Sequence, residues 1–213
     1  MKHVKAVVFD MDGVLVDARE WHFLALNRAL ELFGYSITPE DHEADFDGLP
    51  TRKKLEMLTL RNGLPQELHG FINELKQKYT IELIHKFCRP TFKHEYTLLQ
   101  LKKESYKVGL ASNSIMATIR LMMEKTALDK YLDVIISAEN VKMGKPDPEM
   151  YIKMIEQLSV CPCEVVVVED NENGVIAATL AGAHVLRVSN PSEVNIDKVL
   201  SFIEELEVQN CSH

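Results

Sequence analysis

Five short apolar segments constrain the fold of this chain more than any other feature of its sequence. Each is rich in valine, isoleucine, leucine or alanine, and none shows the polar alternation of a strand with one solvated face. The segments are residues 4–9, 107–111, 134–137, 165–168 and 184–188. Such strands indicate a parallel sheet covered by helices on both faces. Helical spacing recurs beside the later strands, at 95–103, 115–125, 149–157 and 174–181. This alternation predicts an α/β fold with a doubly wound, parallel, Rossmann-like sheet.

The alternation is interrupted once, after the first strand, by a long segment with helical patterns but no convincing strand. Apolar residues recur at helical spacing in 21–33, 51–60 and 66–85. Gly34 and the Gly63-Leu64-Pro65 sequence mark breaks between these helices. We therefore predict a helical domain at residues 17–87, inserted after the first strand, and a core formed by residues 1–16 and 88–213.

The composition of the chain bears on its cellular compartment and on the classes of partner that it could bind. The net charge is −8, with 32 acidic against 24 basic side chains, so the charge gives no basis for binding nucleic acid through its phosphates. No apolar run approaches the roughly 20 residues of a membrane span, and the first residues lead into a strand rather than a signal peptide. Four cysteines are too few and too scattered for a disulfide framework. We expect a cytoplasmic monomer that binds neither nucleic acid nor membrane.

Polar residues cluster where four of the predicted strands end. Asp10 and Asp12 follow the first strand and Ser112-Asn113-Ser114 follow the second. Lys145 lies in the loop after the third strand, and the acidic pair Glu169-Asp170 ends the fourth. In open α/β sheets, ligands bind at the carboxyl ends of the strands. We therefore expect these four segments to form one site.

Together these segments resemble the motifs of the haloacid dehalogenase superfamily, in that family's order and along almost the whole chain. The motifs are DMDGVLVD (10–17), the serine of GLASNS (109–114), the lysine of GKPDPE (144–149) and the acidic pair of VVVVEDNENG (165–174). The chain is most similar to the branch of beta-phosphoglucomutase and sugar-phosphate phosphatases. This resemblance implies that residues 17–87 form a helical cap over the active site.

The first two acids have the chemistry of phosphoryl transfer through a covalent intermediate. A carboxylate is ionised at neutral pH and forms an acyl phosphate that water can split, so Asp10 is the candidate nucleophile. Crowding of two carboxylates raises one pKa, which suits Asp12 as the residue that protonates the leaving oxygen and later accepts a proton from water. The resemblance further implies that the Asp10 side chain and the Asp12 carbonyl hold Mg²⁺.

The other strand ends supply the remaining predicted ligands. Glu169 and Asp170 are expected to complete the Mg²⁺ site, and either could bind the ion directly or through water. Ser112 is expected to hold a phosphate oxygen, together with the backbone N–H of Asn113 at the start of the next helix. Lys145 is expected to supply a fixed positive charge to the phosphoryl group and the nucleophile. Taken singly, such residues could also be turn, cap or surface residues.

Three residues of the insertion are candidate specificity residues. His22 falls on the position of a cap histidine in AREWHFLALNRAL, and GLPTRKKL (48–55) is similar to the cap's specificity loop. In the mutases, an arginine of this loop binds the second phosphate of the substrate. The corresponding residue here is Thr51, with Arg52 one place later, and this difference weakens the hypothesis that the chain is a phosphosugar mutase. The Schiff-base lysine of phosphonoacetaldehyde hydrolase also corresponds to Thr51, and a threonine there argues against Schiff-base chemistry. Alternatively, His22 lies on a polar helix face, and the three basic residues 52–54 form a solvated patch.

These observations favour a phosphoric monoester hydrolase. We predict a Mg²⁺-dependent phosphatase that hydrolyses small phosphorylated metabolites, in particular sugar phosphates, through an aspartyl-phosphate intermediate. A phosphosugar mutase of the beta-phosphoglucomutase type is the alternative within the enzymes. A non-catalytic, phosphate-binding regulatory domain is the alternative from another class.

Overall fold

The computed structural model describes residues 3–46 and 48–210 of the chain. Five parallel strands form one sheet in the order β3-β2-β1-β4-β5. The strands are β1 (Ala6–Phe9), β2 (Lys107–Ala111), β3 (Val134–Ile136), β4 (Val165–Glu169) and β5 (His184–Arg187). In register, Ala6 pairs with Lys107 on one side and with Val165 on the other. The predicted α/β fold with a parallel sheet is therefore confirmed.

Nine α-helices occur in the described residues. In chain order they are α1 (Arg19–Glu31), α2 (Pro39–Asp41), α3 (Thr51–Asn62), α4 (His69–Phe87), α5 (Phe92–Lys103), α6 (Met116–Thr126), α7 (Glu149–Leu158), α8 (Glu172–Leu180) and α9 (Ile196–Asn210). A π-helical turn spans His42–Phe46, and 3-10 turns span Gln66–Leu68, Asp129–Tyr131, Ala138–Asn140, Pro162–Glu164 and Pro191–Glu193. None of the helices in this part of the chain combines the length and apolarity needed to cross a bilayer.

The core unit comprises Met1–Asp17 and Arg89–His213. Helix α7 packs on β2 and β3, helix α8 packs on β4 and β5, and these two helices contact each other. The side chains of Ala6 and Val8 in β1 belong to the buried cluster on this face, together with Val165 and Val167 of β4. Alternate strand residues point to the opposite face. There α5 packs on β2 and contacts α9. Both faces of the sheet are therefore covered, as continuous apolarity of the strands requires.

The strand order places the expected site. The chain moves outward from β1 through β2 to β3, and then returns to add β4 and β5 on the other side of β1. β1 is therefore central, and the order of strands reverses beside it. The carboxyl ends of strands at such a reversal form the crevice in which ligands bind in doubly wound sheets.

The second compact unit comprises Ala18–Cys88, and its described residues contain helices, turns and loops but no strand. The boundaries of an inserted domain at residues 17–87 stay a prediction. Leu26 and Leu30 of α1 pack with Leu55 and Leu58 of α3 and with Ile72 of α4 in a buried apolar cluster. Helix α3 ends at Asn62 and is capped by Gly63, which adopts a left-handed conformation with φ of 71° that glycine accommodates without strain.

Some local predictions were wrong. Residues 66–85 do not form one helix, because Gln66–Leu68 is a 3-10 turn that precedes α4. The helix α9 and the π-helical turn at His42–Phe46 were not predicted at all. Cys88, Cys161 and Cys163 are free thiols, and Cys211 lies outside the described residues.

Candidate active site

Lys145 is the centre of a buried network at the carboxyl ends of the strands. Its side chain extends from the loop between β3 and α7, and only 4% of the residue is exposed. The ammonium group donates to Asp10 Oδ1 at 2.6 Å, to Glu169 Oε1 at 2.6 Å and to the Ala111 carbonyl oxygen at 2.8 Å. These contacts use all three of its donors. The predicted nucleophile and one acid of the predicted metal pair therefore share a single cation.

Asp10 occupies the first position after β1. Its backbone N–H donates to the Val168 carbonyl at 3.0 Å, so the ladder between β1 and β4 extends through this residue. The chain then turns at Gly13, whose φ of 88° lies in the left-handed region that favours glycine. The Gly13 N–H closes the turn by donating to the Val16 carbonyl at 2.7 Å. The turn follows Asp12 directly and fixes the backbone on which both acids are carried.

Asp12 is linked to the segment that follows β2. The Ser114 hydroxyl donates to Asp12 Oδ2 at 3.2 Å. The hydroxyl oxygen of Ser112 accepts the Ser114 N–H at 3.1 Å, and Ser112 itself is buried. Ser114 therefore connects the predicted acid/base residue to the predicted phosphate-binding serine. Sequence reasoning quoted Ser114 within its motif but assigned it no role.

Asn113 differs from its prediction in one respect. Helix α6 begins at Met116, so the expectation that Asn113 opens the helix is wrong. The Asn113 amide instead pairs with the backbone of Lys145, accepting its N–H at 3.0 Å and donating to its carbonyl at 3.3 Å. A Cβ atom at Gly144 would lie 2.5 Å from Asn113 Oδ1, so glycine permits this approach. The phosphate-binding roles of Ser112, Asn113 and Lys145 stay predictions.

Glu169 is the most enclosed acid of the site, with 1% of the residue exposed. Its Oε1 accepts the Tyr151 hydroxyl in addition to Lys145, and its Oε2 accepts the Asp170 N–H at 3.2 Å. Sequence reasoning missed Tyr151. Its spacing with Met150, Met154 and the other apolar residues of α7 is typical of core packing, and no sequence signal identifies its hydroxyl as part of a site.

Burial and neighbouring charges both shift the pKa values of Asp10 and Lys145. Burial raises the pKa of Asp10 well above its usual range, and the neighbouring carboxylates of Glu169, Asp12 and Asp170 add to this effect while Lys145 opposes it. Burial alone would lower the pKa of Lys145, but Asp10 and Glu169 outweigh it and raise that pKa well above its usual value. This shift favours the protonated, positively charged form of Lys145 at neutral pH.

The acids also have the arrangement of a metal site. One oxygen each from Asp10, Glu169 and Asp170 can be chosen so that all lie within 4.8 Å of one another, and all three residues are buried. Carboxylate oxygens are the donors that Mg²⁺ prefers. With Asp12 the site holds four carboxyl groups against one ammonium, so a divalent cation would offset their excess negative charge. The donor set therefore fits Mg²⁺.

His22 of the inserted unit lies in α1. Its Nδ1 is 3.3 Å from Nζ of Lys76, a buried lysine of α4 in the same unit. His22 therefore contacts a cation within its own unit. Its role in substrate specificity stays a prediction.

Thr51 and Arg52 form the first turn of α3. The Arg52 side chain is 80% exposed and lies 3.5 Å from the Glu56 carboxylate. Lys54 is buried, so the expectation that all three basic residues form a solvated patch is wrong for this lysine. Specificity roles for Thr51 and Arg52 stay predictions.

Known proteins are similar to this chain in sequence and in fold. A family model described as haloacid dehalogenase-like hydrolase matches residues 7–188. A phosphorylated carbohydrates phosphatase of Thermotoga maritima is 35% identical over 182 residues, which cover 84% of this chain and 82% of that protein. A beta-phosphoglucomutase of Bacillus subtilis is 30% identical over 187 residues, covering 84% and 80% respectively. The crystal structure of a beta-phosphoglucomutase from Clostridium difficile has a TM-score of 0.83 at 22% identity, covering 96% of this chain and 99% of that chain, and so shares the fold.

Proposed function

This chain belongs to the haloacid dehalogenase-like hydrolase family, and from that premise we propose that it is a Mg²⁺-dependent phosphatase of small phosphomonoesters. The observation that carries the proposal is the Lys145 ammonium group, which lies 2.6 Å from an oxygen of Asp10 and 2.6 Å from an oxygen of Glu169. A cation in this position stabilises negative charge both on the nucleophile and on a phosphoryl group that it attacks.

In the proposed reaction, a carboxylate oxygen of Asp10 attacks phosphorus and the bond from phosphorus to the leaving oxygen breaks. Asp12 donates its proton to that oxygen, and the alcohol departs. Water then attacks phosphorus of the aspartyl phosphate while Asp12 accepts a proton from it. Inorganic phosphate is released and the Asp10 carboxylate is restored. Such a double displacement replaces one difficult step by two easier ones.

The chain's other groups hold and neutralise the phosphoryl group. We assign Lys145 and Ser112, with the backbone of Asn113, to the phosphoryl oxygens. Asp10, Glu169 and Asp170 would hold Mg²⁺, together with the Asp12 carbonyl that the family resemblance implies. When bound, the ion supplies charge stabilisation and alignment of the phosphate. It would also counter the raised pKa of Asp10 and so favour the ionised nucleophile.

Sugar phosphates are the proposed substrates. The phosphatase of Thermotoga maritima, at 35% identity, is named for phosphorylated carbohydrates and supports this choice. The mutase of Bacillus subtilis, at 30% identity, keeps a phosphosugar mutase as the second candidate. The threonine at position 51, where the resemblance places the mutase arginine, favours hydrolysis over transfer to a second hydroxyl.

The test is incubation of the purified protein with a panel of sugar phosphates and Mg²⁺, with the Asp10→Asn variant as the matched control. Release of inorganic phosphate by the wild-type chain, and none by the variant, is expected. Conversion of a hexose 1-phosphate to its 6-phosphate in the presence of a trace of bisphosphate, without phosphate release, would identify a mutase. Binding of inorganic phosphate without turnover of any ester would favour the regulatory domain instead.

A further inference from the structure

Tyr151 places a neutral hydroxyl group inside a cluster of charges. The residue lies in α7 and its side chain is fully buried. Its hydroxyl donates to Glu169 Oε1 at 2.5 Å, and its ring centroid lies 4.9 Å from Nζ of Lys145. A buried tyrosine hydroxyl needs a hydrogen-bond partner, and many groups could serve. Here the partner is Glu169 Oε1, which also accepts a hydrogen bond from the Lys145 ammonium group.

Contacts on several sides restrain the orientation of the Glu169 carboxylate. Oε1 receives Lys145 and Tyr151, and Oε2 receives the Asp170 N–H. On a further side lies Gly174 of α8, where a Cβ atom would overlap the carboxylate. Hydrogen bonds to an ionised acceptor are shorter and stronger than those between neutral groups. The carboxylate is therefore held by donors from three segments of the core unit.

We propose that Tyr151 is a positioning residue that fixes Glu169, which in turn holds the Lys145 ammonium against Asp10. The side chain of lysine is flexible, so its charge needs an anchor to stay at 2.6 Å from the nucleophile. Glu169 is that anchor, and the phenol restrains it without adding charge to the cluster. On this proposal Tyr151 acts on the reaction through Glu169 and Lys145.

The inference rests on the proposed function, because its main readout is phosphatase turnover. The variant is Tyr151→Phe, which removes the hydroxyl and keeps the ring. The matched control is Tyr131→Phe, because the Tyr131 hydroxyl also donates to a glutamate, Glu95, at 3.2 Å, away from the site. We expect kcat of Tyr151→Phe to fall roughly 10-fold, the lower end of the effect of outer-shell partners, with KM within about twofold of wild type. The control should match wild type.

A double-mutant cycle separates positioning from general loss of structure. Glu169→Gln keeps the shape of the acceptor and serves as the second variant. If Tyr151 acts only through Glu169, the Tyr151→Phe/Glu169→Gln double variant has the kcat of Glu169→Gln alone. Multiplying effects in the double variant would overturn the proposal, as would wild-type kcat in Tyr151→Phe.

Two readouts do not depend on turnover. Because Glu169 is also a proposed metal ligand, calorimetric titration with Mg²⁺ alone should show a loss of affinity in Tyr151→Phe that is smaller than the roughly 10-fold loss in kcat. A loss of 10-fold or more, the scale of outer-shell effects on a metal ligand, would mean that Tyr151 supports the metal site instead. Crystal structures should show Lys145 Nζ displaced from Asp10 in the variant, and an unchanged contact would overturn the proposal. Should the wild-type chain hydrolyse no ester, the proposed function fails, while the crystal comparison still decides the role of Tyr151.

Discussion

Replacement of Gly174 by alanine tests whether the orientation of Glu169 matters for catalysis. Gly174 lies in the first turn of α8, and an added Cβ atom would overlap both carboxylate oxygens of Glu169. The carboxylate would have to rotate away, and it would lose its hydrogen bonds from Lys145 and Tyr151. Each hydrogen bond to a charged group contributes about 1.5–3 kcal/mol. The gain in helix propensity from glycine to alanine returns at most about 1 kcal/mol.

The net loss in free energy of unfolding is therefore about 2–5 kcal/mol, to be measured by urea denaturation. Loss of these hydrogen bonds would also displace Lys145. If about 3 kcal/mol of transition-state stabilisation is lost as a result, kcat/KM falls about 100-fold, because each 1.36 kcal/mol is tenfold in rate. The assay is hydrolysis of an aryl phosphate with saturating Mg²⁺.

Gly70→Ala is the matched control. Gly70 also lies near the start of a helix, α4, but no heavy atom lies within 4 Å of the position of its added Cβ. This variant should keep wild-type kcat/KM and gain at most about 1 kcal/mol of stability. Wild-type kcat/KM and wild-type stability in Gly174→Ala would refute the argument that Glu169 must keep its orientation.

Three further predictions concern the proposed chemistry. Asp12→Asn should lower kcat on alkyl phosphates by about 10²–10⁴ and on aryl phosphates much less, because good leaving groups need no proton; equal losses on both would contradict the acid role. A chelator should abolish turnover, and Mg²⁺ should restore it, because without the cation the crowded carboxyl groups of the site repel a negatively charged phosphate ester. Full activity in chelator would refute the metal requirement. Asn113→Ala removes both hydrogen bonds to the Lys145 backbone. The free energy of unfolding, measured by urea denaturation, should fall by about 1–3 kcal/mol. An unchanged unfolding midpoint would show that these two hydrogen bonds do not stabilise the loop that carries Lys145.

The sheet could be predicted because burial on both faces leaves a direct mark on sequence. All five strands lie within the predicted apolar runs or differ from them by one residue at an end. Strand direction then follows from the intervening helices, and parallel direction brings the carboxyl ends to one edge. This is why the sequence predicts that Asp10, Lys145 and the acidic pair at 169–170 meet at one site.

The supporting residues could not be predicted in the same way. Tyr151 follows the apolar spacing of α7, and period alone does not distinguish a packed ring from a ring with a hydroxyl partner. Asn113 was identified, but its side-chain pairing with the Lys145 backbone depends on a loop whose course has no periodic pattern. The burial of Lys54 beside the exposed Arg52 depends on where α3 begins, and helix ends are the least regular part of such patterns.

The central claim is that Asp10 attacks phosphorus, and the most direct measurement is covalent trapping. The protein would be mixed with substrate and Mg²⁺ for less than one turnover, quenched in acid and treated with borohydride, which reduces an acyl phosphate to an alcohol. The account predicts that mass spectrometry finds homoserine at position 10 in the wild-type chain, with none when substrate is omitted. Homoserine at another aspartate, or an unmodified Asp10 during demonstrated turnover, would contradict it.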